Sequence, residues 1–288
     1  MIVGIISYLP DNEDVRQQRL KYHKKQLELL LKLNCNIYIV AQNYRDTDFI
    51  INSNIYYFKY DSGIGPSQAR NCLLNYFYSS DHDFMLCCDD DAYFYDYYNI
   101  FDFFNELNMN TQKFNELDYI RGICANKVPF KKTVYEDKNT LDKYVFEDRD
   151  TIGTTFIGII RNLNKYYNKQ IYYETMDVSN GGGYEDKDFC CKLKLNGIKT
   201  HVLKTFITSS YNYTDYSTLF STYEDRMKVH NENNTYIDNK YKQTDLFVQG
   251  KLNKKYKDPK LMIPRDVSIN IPDNLIPKYD VKITGKLF

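Results

Sequence analysis

Residues 84–88, Phe84-Met85-Leu86-Cys87-Cys88, form an apolar run that passes directly into three consecutive carboxylates, Asp89, Asp90 and Asp91. An apolar run of this length reads as a buried strand. Carboxylates a few ångströms apart repel, and one takes up a proton unless a cation lies between them. Side chains alternate faces along an extended segment, so Asp89 and Asp91 share one face while Asp90 points to the other. The pair is an Asp-x-Asp pincer. Oxygen-only ligands suit Mg²⁺ or Mn²⁺, which take one or two carboxylates together with the phosphates of a substrate.

The stretch before this run alternates between strand and helix patterns. Residues 3–9 are nearly all apolar, as expected of a strand covered on both faces. Residues 13–33 place Leu20, Leu27, Leu30 and Leu31 at helical spacing between charges. Residues 37–40 and 55–58 read as strands, 68–78 as a helix and 84–88 as a fourth strand. The pattern predicts an α/β fold with a mostly parallel, helix-covered sheet. Ligands of such sheets bind beyond the carboxyl ends of the strands, where Asp89 to Asp91 fall.

Beyond the acids, residues 92–104 are dense in Tyr and Phe and read as a helix that buries its rings. Residues 118–125 and 152–160 read as strands, with a polar loop or hairpin at 129–150. Asn180-Gly181-Gly182-Gly183 makes a turn into Tyr184-Glu185-Asp186-Lys187-Asp188, and a helix then runs to Asn196, capped by Gly197. Residues 199–207 form a further strand. A helix is expected near 219–231, followed by a tail punctuated by Pro259, Pro264, Pro272 and Pro277 and carrying Lys251, Lys254, Lys255, Lys257 and Lys260. The domain expectation is therefore an α/β domain at 1–212 and a helical, extended C-terminal segment at 213–288.

Lys plus Arg and Asp plus Glu both number 38 in 288 residues, so overall charge favours neither nucleic acid nor membrane as partner. Seven cysteines, two adjacent pairs of them in apolar surroundings, fit reduced buried thiols and a cytoplasmic setting. No apolar run reaches the length of a membrane span. The abundance of Asn, Lys, Ile, Tyr and Phe points to an AT-rich genome, as of a virus, phage or some bacteria. Oligomeric state is not legible.

Three blocks together resemble the GT-A glycosyltransferases, most closely the family 2 type. Asp61 to Asn71, with Gly65, Ala69, Arg70 and Asn71, is similar to that family's Gly-x-x-x-Ala-Arg-Asn segment, Asp89 to Asp91 to its Asp-x-Asp, and Gly181 to Asp188 to its Gly-Gly-x-x-Glu-Asp-x-Asp turn. The resemblance covers about residues 1–210. It implies transfer of a hexose from a nucleotide diphosphate sugar, a UDP-hexose first among them, with Mn²⁺ or Mg²⁺ bound by Asp91 and Asp89. It also implies nucleotide contacts from Ser7, Tyr8, Leu9, Pro10, Gln42, Asn43, Arg70, Asp89 and Asp90. Asp186 takes the place of the catalytic base, with Glu185 and Asp188 beside it.

The chain departs from the family at two places. Ala41-Gln42-Asn43-Tyr44 stands where an acidic residue usually reads the base, and Ser209-Ser210-Tyr211-Asn212 stands where many members supply a histidine to the metal, which leaves His230 as the expected third ligand. A second resemblance, in residues 5–10, the Lys- and Gln-rich first helix and residues 233–241, is to T-even-type phage transferases that glycosylate hydroxymethylated or already glucosylated DNA bases. The acceptor expectation is thus a glycan or modified DNA. Two rivals stay open: a nucleotidyltransferase, although Ser7 to Pro10 holds no glycine for a phosphate loop, and a binding module without chemistry.

Overall fold

The structure, a computed structural model, describes residues 1–94, 97–115, 117–124, 146–148, 157–174, 185–210, 223–248 and 251–252. Their strands are β1 (Ile2–Tyr8), β2 (Ile37–Gln42), β3 (Ile55–Tyr60), β4 (Phe84–Asp89), β5 (Ala92–Phe94), β6 (Tyr119–Cys124), β7 (Phe146–Asp148), β8 (Ile157–Arg161) and β9 (Thr200–Ser210). Helices α1 (Glu13–Leu30), α2 (Pro66–Tyr78), α3 (Tyr97–Met109), α4 (Leu163–Tyr167), α5 (Glu185–Leu195) and α6 (Tyr223–Tyr241) accompany them, and β10 (Phe247–Val248) pairs with β11 (Lys251–Leu252).

The sheet order is β3-β2-β1-β4-β8-β6-β9-β5, with β7 also on β9. The run β3-β2-β1-β4 is wholly parallel, as the alternation predicts. Beyond β4 the sheet is mixed: β8 lies antiparallel between β4 and β6, β6 and β9 are parallel, and β5 and β7 are antiparallel to β9. The fold is α/β, with helices on both faces.

Strand parity divides the core. Val3, Ile5, Ile37, Ile39, Phe84, Leu86 and Cys88 pack with α1 and α3, while Ile2, Ile6, Tyr38, Val40 and Met85 pack with α2, α4 and α5. Continuing that parity past β4 sends Asp89 toward α2 and Asp90 toward α1. Two glycines shape the approach to these helices. Gly65 takes φ +83° to turn into Pro66, whose missing N–H costs nothing at the first position of α2. Gly197 takes φ +75° after α5, where its N–H donates to the Lys194 carbonyl and that of Ile198 to the Leu193 carbonyl, closing the helix as expected.

Several expectations change. The aromatic stretch after the acids is not one helix: the chain reverses at Asp90–Asp91, and β5 pairs with β9, Ala92 opposite Ser210, before α3 begins. Of the strand expected at 152–160, residues 152–156 lie outside the described residues and the rest is β8, with α4 following it unforeseen. The late helix, α6, extends to Tyr241, well past 231. It packs on α5 largely through polar groups, which an apolar periodicity does not reveal. Lys187 donates to Asn234 (2.7 Å) and Asp238 (2.6 Å), and the Asp188 carboxylate accepts from Lys240 and Tyr241 (both 2.7 Å), while Ile237, Tyr241 and Leu246 are buried. Cys35, Cys72, Cys88, Cys190 and Cys191 are buried free thiols and Cys87 is half-buried, as expected. Gly181 to Tyr184, Tyr95, Asp96, Tyr211, Asn212, Lys254, Lys255, Lys257, Lys260 and the four tail prolines lie outside the described residues.

Candidate active site

The two acidic blocks meet across one guanidinium. Arg70, on the first turns of α2, is buried; its Nη1 donates to Glu185 Oε1 at 2.7 Å and its Nη2 to Asp89 Oδ1 at 3.0 Å. Asp186 Oδ1 stands 3.9 Å from Nη1. Burial alone would lower the Arg70 pKa, but Asp89, Asp186 and Glu185 outweigh it and hold it well above its ordinary value. The Tyr173 ring lies under the guanidinium, 5.4 Å from its carbon, and is itself stacked on Phe189 of α5 at 4.1 Å. Asn71, next to Arg70 in sequence, grips the Tyr173 backbone at both ends, donating to its carbonyl (2.8 Å) and accepting from its N–H (2.7 Å). The Ala69-Arg70-Asn71 segment therefore does three jobs. Ala69 packs with no exposure, Arg70 joins the acids, and Asn71 fixes the segment that carries Tyr173.

At the acidic turn the three aspartates separate. Asp90 is turned inward: Ser7 donates to its carboxylate at 2.6 Å, its N–H donates to the Ile6 carbonyl, and Arg19 approaches to 3.8 Å. Asp89 faces Arg70. Burial, with Asp90 adding repulsion, raises the Asp89 pKa despite the Arg70 pairing. Asp91 forms no ion pair with any described residue, and burial together with Asp90 and Asp89 pushes its pKa up to about 8, Arg19 offsetting only part. A desolvated carboxylate in that position is relieved by an external cation. The Asp91 carboxylate is of the oxygen chemistry that suits a hard divalent ion, while that of Asp89 is paired with Arg70. His230 is on α6, and among the described residues no group of three His, Cys, Asp or Glu side chains gathers as metal ligands, so the structure does not assemble His230 with Asp89 and Asp91.

The residues expected around the nucleotide divide in the same way. Ser7, Leu9 and Pro10 are buried, and of this segment only Tyr8 shows a half-exposed side chain, its ring against Gly63. Gln42 is spent on the scaffold, its Oε1 accepting from Ile64 N–H at 2.8 Å. Asn43, at φ +59°, ties the β1 and β2 ends together by donating to the Leu9 carbonyl (2.8 Å) and to Asp11 (3.0 Å). Asp188, fully buried between Lys192, Lys240 and Tyr241, holds α6 onto α5.

Sequence reasoning missed Arg16 and Asp48. Arg16, buried in α1, pairs with Asp48 Oδ2 through Nε (3.0 Å) and Nη2 (2.5 Å), and donates to the Pro10 carbonyl (2.9 Å) and the Asn43 carbonyl (2.6 Å). One side chain thus pins the loops after β1 and β2. A lone arginine in a helix full of charges gives no such signal, since its partner lies 32 positions away.

The strand order, with its parallel run β3-β2-β1-β4, is an α/β arrangement that solved structures share. A mannosyltransferase from Pyrobaculum calidifontis, solved in complex with GDP-Man and Mn²⁺, shares the fold with TM-score 0.52 at 10% identity, over 90% of this chain and 67% of that chain. A putative nucleotide-diphospho-sugar transferase from Desulfovibrio desulfuricans matches with TM-score 0.42 at 8% identity, over 82% and 97%. A putative glucose-1-phosphate thymidylyltransferase from Bacillus anthracis matches with TM-score 0.40 at 12% identity, over 80% and 96%. No protein-family model and no curated protein sequence matches the chain. Among the described residues no helix is long and apolar enough to cross a membrane.

Proposed function

We propose that the protein is a glycosyltransferase that moves a hexose from a nucleotide diphosphate sugar to an acceptor hydroxyl. The observation that carries this reading is the convergence of Asp89 with Glu185 and Asp186 on Arg70, which joins a diphosphate-side acid pair to a candidate base. The catalytic unit is residues 1–212, on which α6 packs through Lys187 and Asp188 of α5.

Asp91 and Asp89 would hold one Mn²⁺ or Mg²⁺, which supplies positive charge against the leaving diphosphate. Tyr8 offers the half-exposed ring for the nucleoside, and Arg70 keeps Asp89 and Glu185 in register. In an inverting transfer the acceptor oxygen bonds to the anomeric carbon as that carbon's bond to the diphosphate oxygen breaks. The hydroxyl proton passes to Asp186, and the nucleoside diphosphate departs with the bonding electrons. A carboxylate suffices as base because the diphosphate is a good leaving group.

The test is a thermal-shift screen of UDP- and GDP-hexoses with and without Mn²⁺. A specific donor stabilises in proportion to its affinity. Metal-dependent stabilisation by one donor supports the reading, and indifference to every nucleotide sugar contradicts it.

A further inference from the structure

Beneath the acidic turn lies a polar pair that the proposed chemistry does not use. Gln26 and His23 sit three positions apart on α1, and both are buried, with 1% and 0% exposure. Gln26 Nε2 donates to the Asp89 carbonyl at 2.7 Å and to the Ala92 carbonyl at 3.2 Å, the two residues that bracket Asp90 and Asp91. The one amide therefore spans the turn. Both of its hydrogens go to carbonyls, which fixes Oε1 as the end that faces His23 Nδ1 at 3.3 Å. Burial lowers the His23 pKa and keeps the ring neutral, so a hydrogen bond at that distance requires the proton on Nδ1. Its Nε2 is buried and meets no hydrogen-bond partner among the described residues.

We propose that Gln26, oriented by the Nδ1–H tautomer of His23, is a positioning residue that sets where the Asp91 carboxylate stands relative to Asp89. The inference rests on reading Asp89 and Asp91 as a divalent-cation site. Asp90 fastens the middle of the turn to β1 through Ser7 and Ile6, and Gln26 fastens its two ends to α1. Without Gln26 the two ends would be held by the sheet pairings of β4 and β5 alone, with no side chain tying one end to the other, and the separation of the flanking carboxylates would spread.

The experiment measures Mn²⁺ affinity by the electron paramagnetic resonance signal of the free ion, with Mn²⁺ alone and with UDP or GDP present. Wild type, D91N, Q26L, H23L and H23N are compared, each first checked for a cooperative melt. Loss of a partner that orients a metal ligand weakens binding by about 10- to 100-fold. That loss is expected for Q26L and H23L. H23N, whose side-chain amide can donate from the place of Nδ1, is expected to return toward wild type, a rescue that mere space-filling would not give. If Q26L fails to fold, the two His23 variants decide. Folded Q26L or H23L that binds Mn²⁺ within about twofold of a wild type sensitive to D91N overturns the positioning role alone. A wild type that binds no Mn²⁺, or binds it equally after D91N, overturns the cation-site reading and this inference with it.

Discussion

Arg70 Nη1 lies 2.7 Å from Glu185 Oε1 while Nη2 of the same side chain lies 3.0 Å from Asp89 Oδ1, so the end of β4 and the start of α5 are joined through one residue of α2. Replacing Arg70 with Met leaves buried carboxylates without a cation, a change that costs about 3–5 kcal/mol. Arg70→Lys cannot bridge two acids with a planar fork and should recover little. Denaturant melts should show both losses. Turnover per folded molecule should fall with them, whereas a purely structural arginine would leave it intact.

A second prediction concerns the Arg16–Asp48 pair. Removing one partner, as in Arg16→Met or Asp48→Leu, should cost about 3–5 kcal/mol, and the double variant should recover part of that loss because no charge is stranded. The loops that Arg16 pins end β1 and β2, so donor affinity is expected to fall in the single variants before the acceptor KM changes. A double-mutant cycle on stability with parallel donor titrations checks both statements. Additive losses would show that the pair does not act as a unit.

Asp188 separates stability from chemistry. Tyr241→Phe removes a hydrogen bond to a buried carboxylate, worth about 1.5–3 kcal/mol, and Asp188→Asn removes the charge that Lys192 and Lys240 share. Both should lower the melting temperature while leaving kcat of the folded protein near wild type. A drop in kcat at unchanged stability would return Asp188 to the catalytic group.

The acid run and the strand parity around it were readable in the sequence because they are local: an apolar run, a period of two, three acids in a row. The same parity explains why Asp89 meets Arg70 and Asp90 meets Ser7. The supports of the site were not readable. Gln26, Arg16 and Asp48 are polar residues in ordinary surroundings whose anchoring partners lie far along the chain, His23 enters only through Gln26, and a single sequence holds no signal for such pairings. Gln42, at the end of β2, was expected among the nucleotide contacts, yet Ile64 N–H and the Ser7 carbonyl take up its amide. α6 was cut short because its contact face is made mostly of Lys, Asp, Asn and Tyr.

His23 gives a pH prediction. Burial holds its folded pKa below the ordinary 6.5, so the unfolded chain takes up a proton first as the pH falls. Above 6.5 the residue contributes no pH dependence. Below it the unfolded state binds more protons, and stability falls by up to about 1.4 kcal/mol per pH unit until the folded value is reached. Denaturant melts at pH 7.5, 6 and 5 should show a steeper loss for wild type than for His23→Asn. Parallel slopes would contradict a buried neutral ring.

The most direct test of the proposed chemistry is nucleoside diphosphate release from the donor that the screen selects, in the presence of Mn²⁺ and a panel of glycan, hydroxymethylated-DNA and glucosylated-DNA acceptors. It is run on wild type and Asp186→Asn, with donor affinity measured in parallel. A base acts on the transition state, so its loss lowers kcat far more than donor binding. The account predicts acceptor-dependent release by wild type, an inverted anomeric centre in the product, and a fall of about 100-fold or more in kcat for Asp186→Asn at near-unchanged donor affinity. Turnover by Asp186→Asn equal to wild type, or no release from any nucleotide sugar, would contradict it.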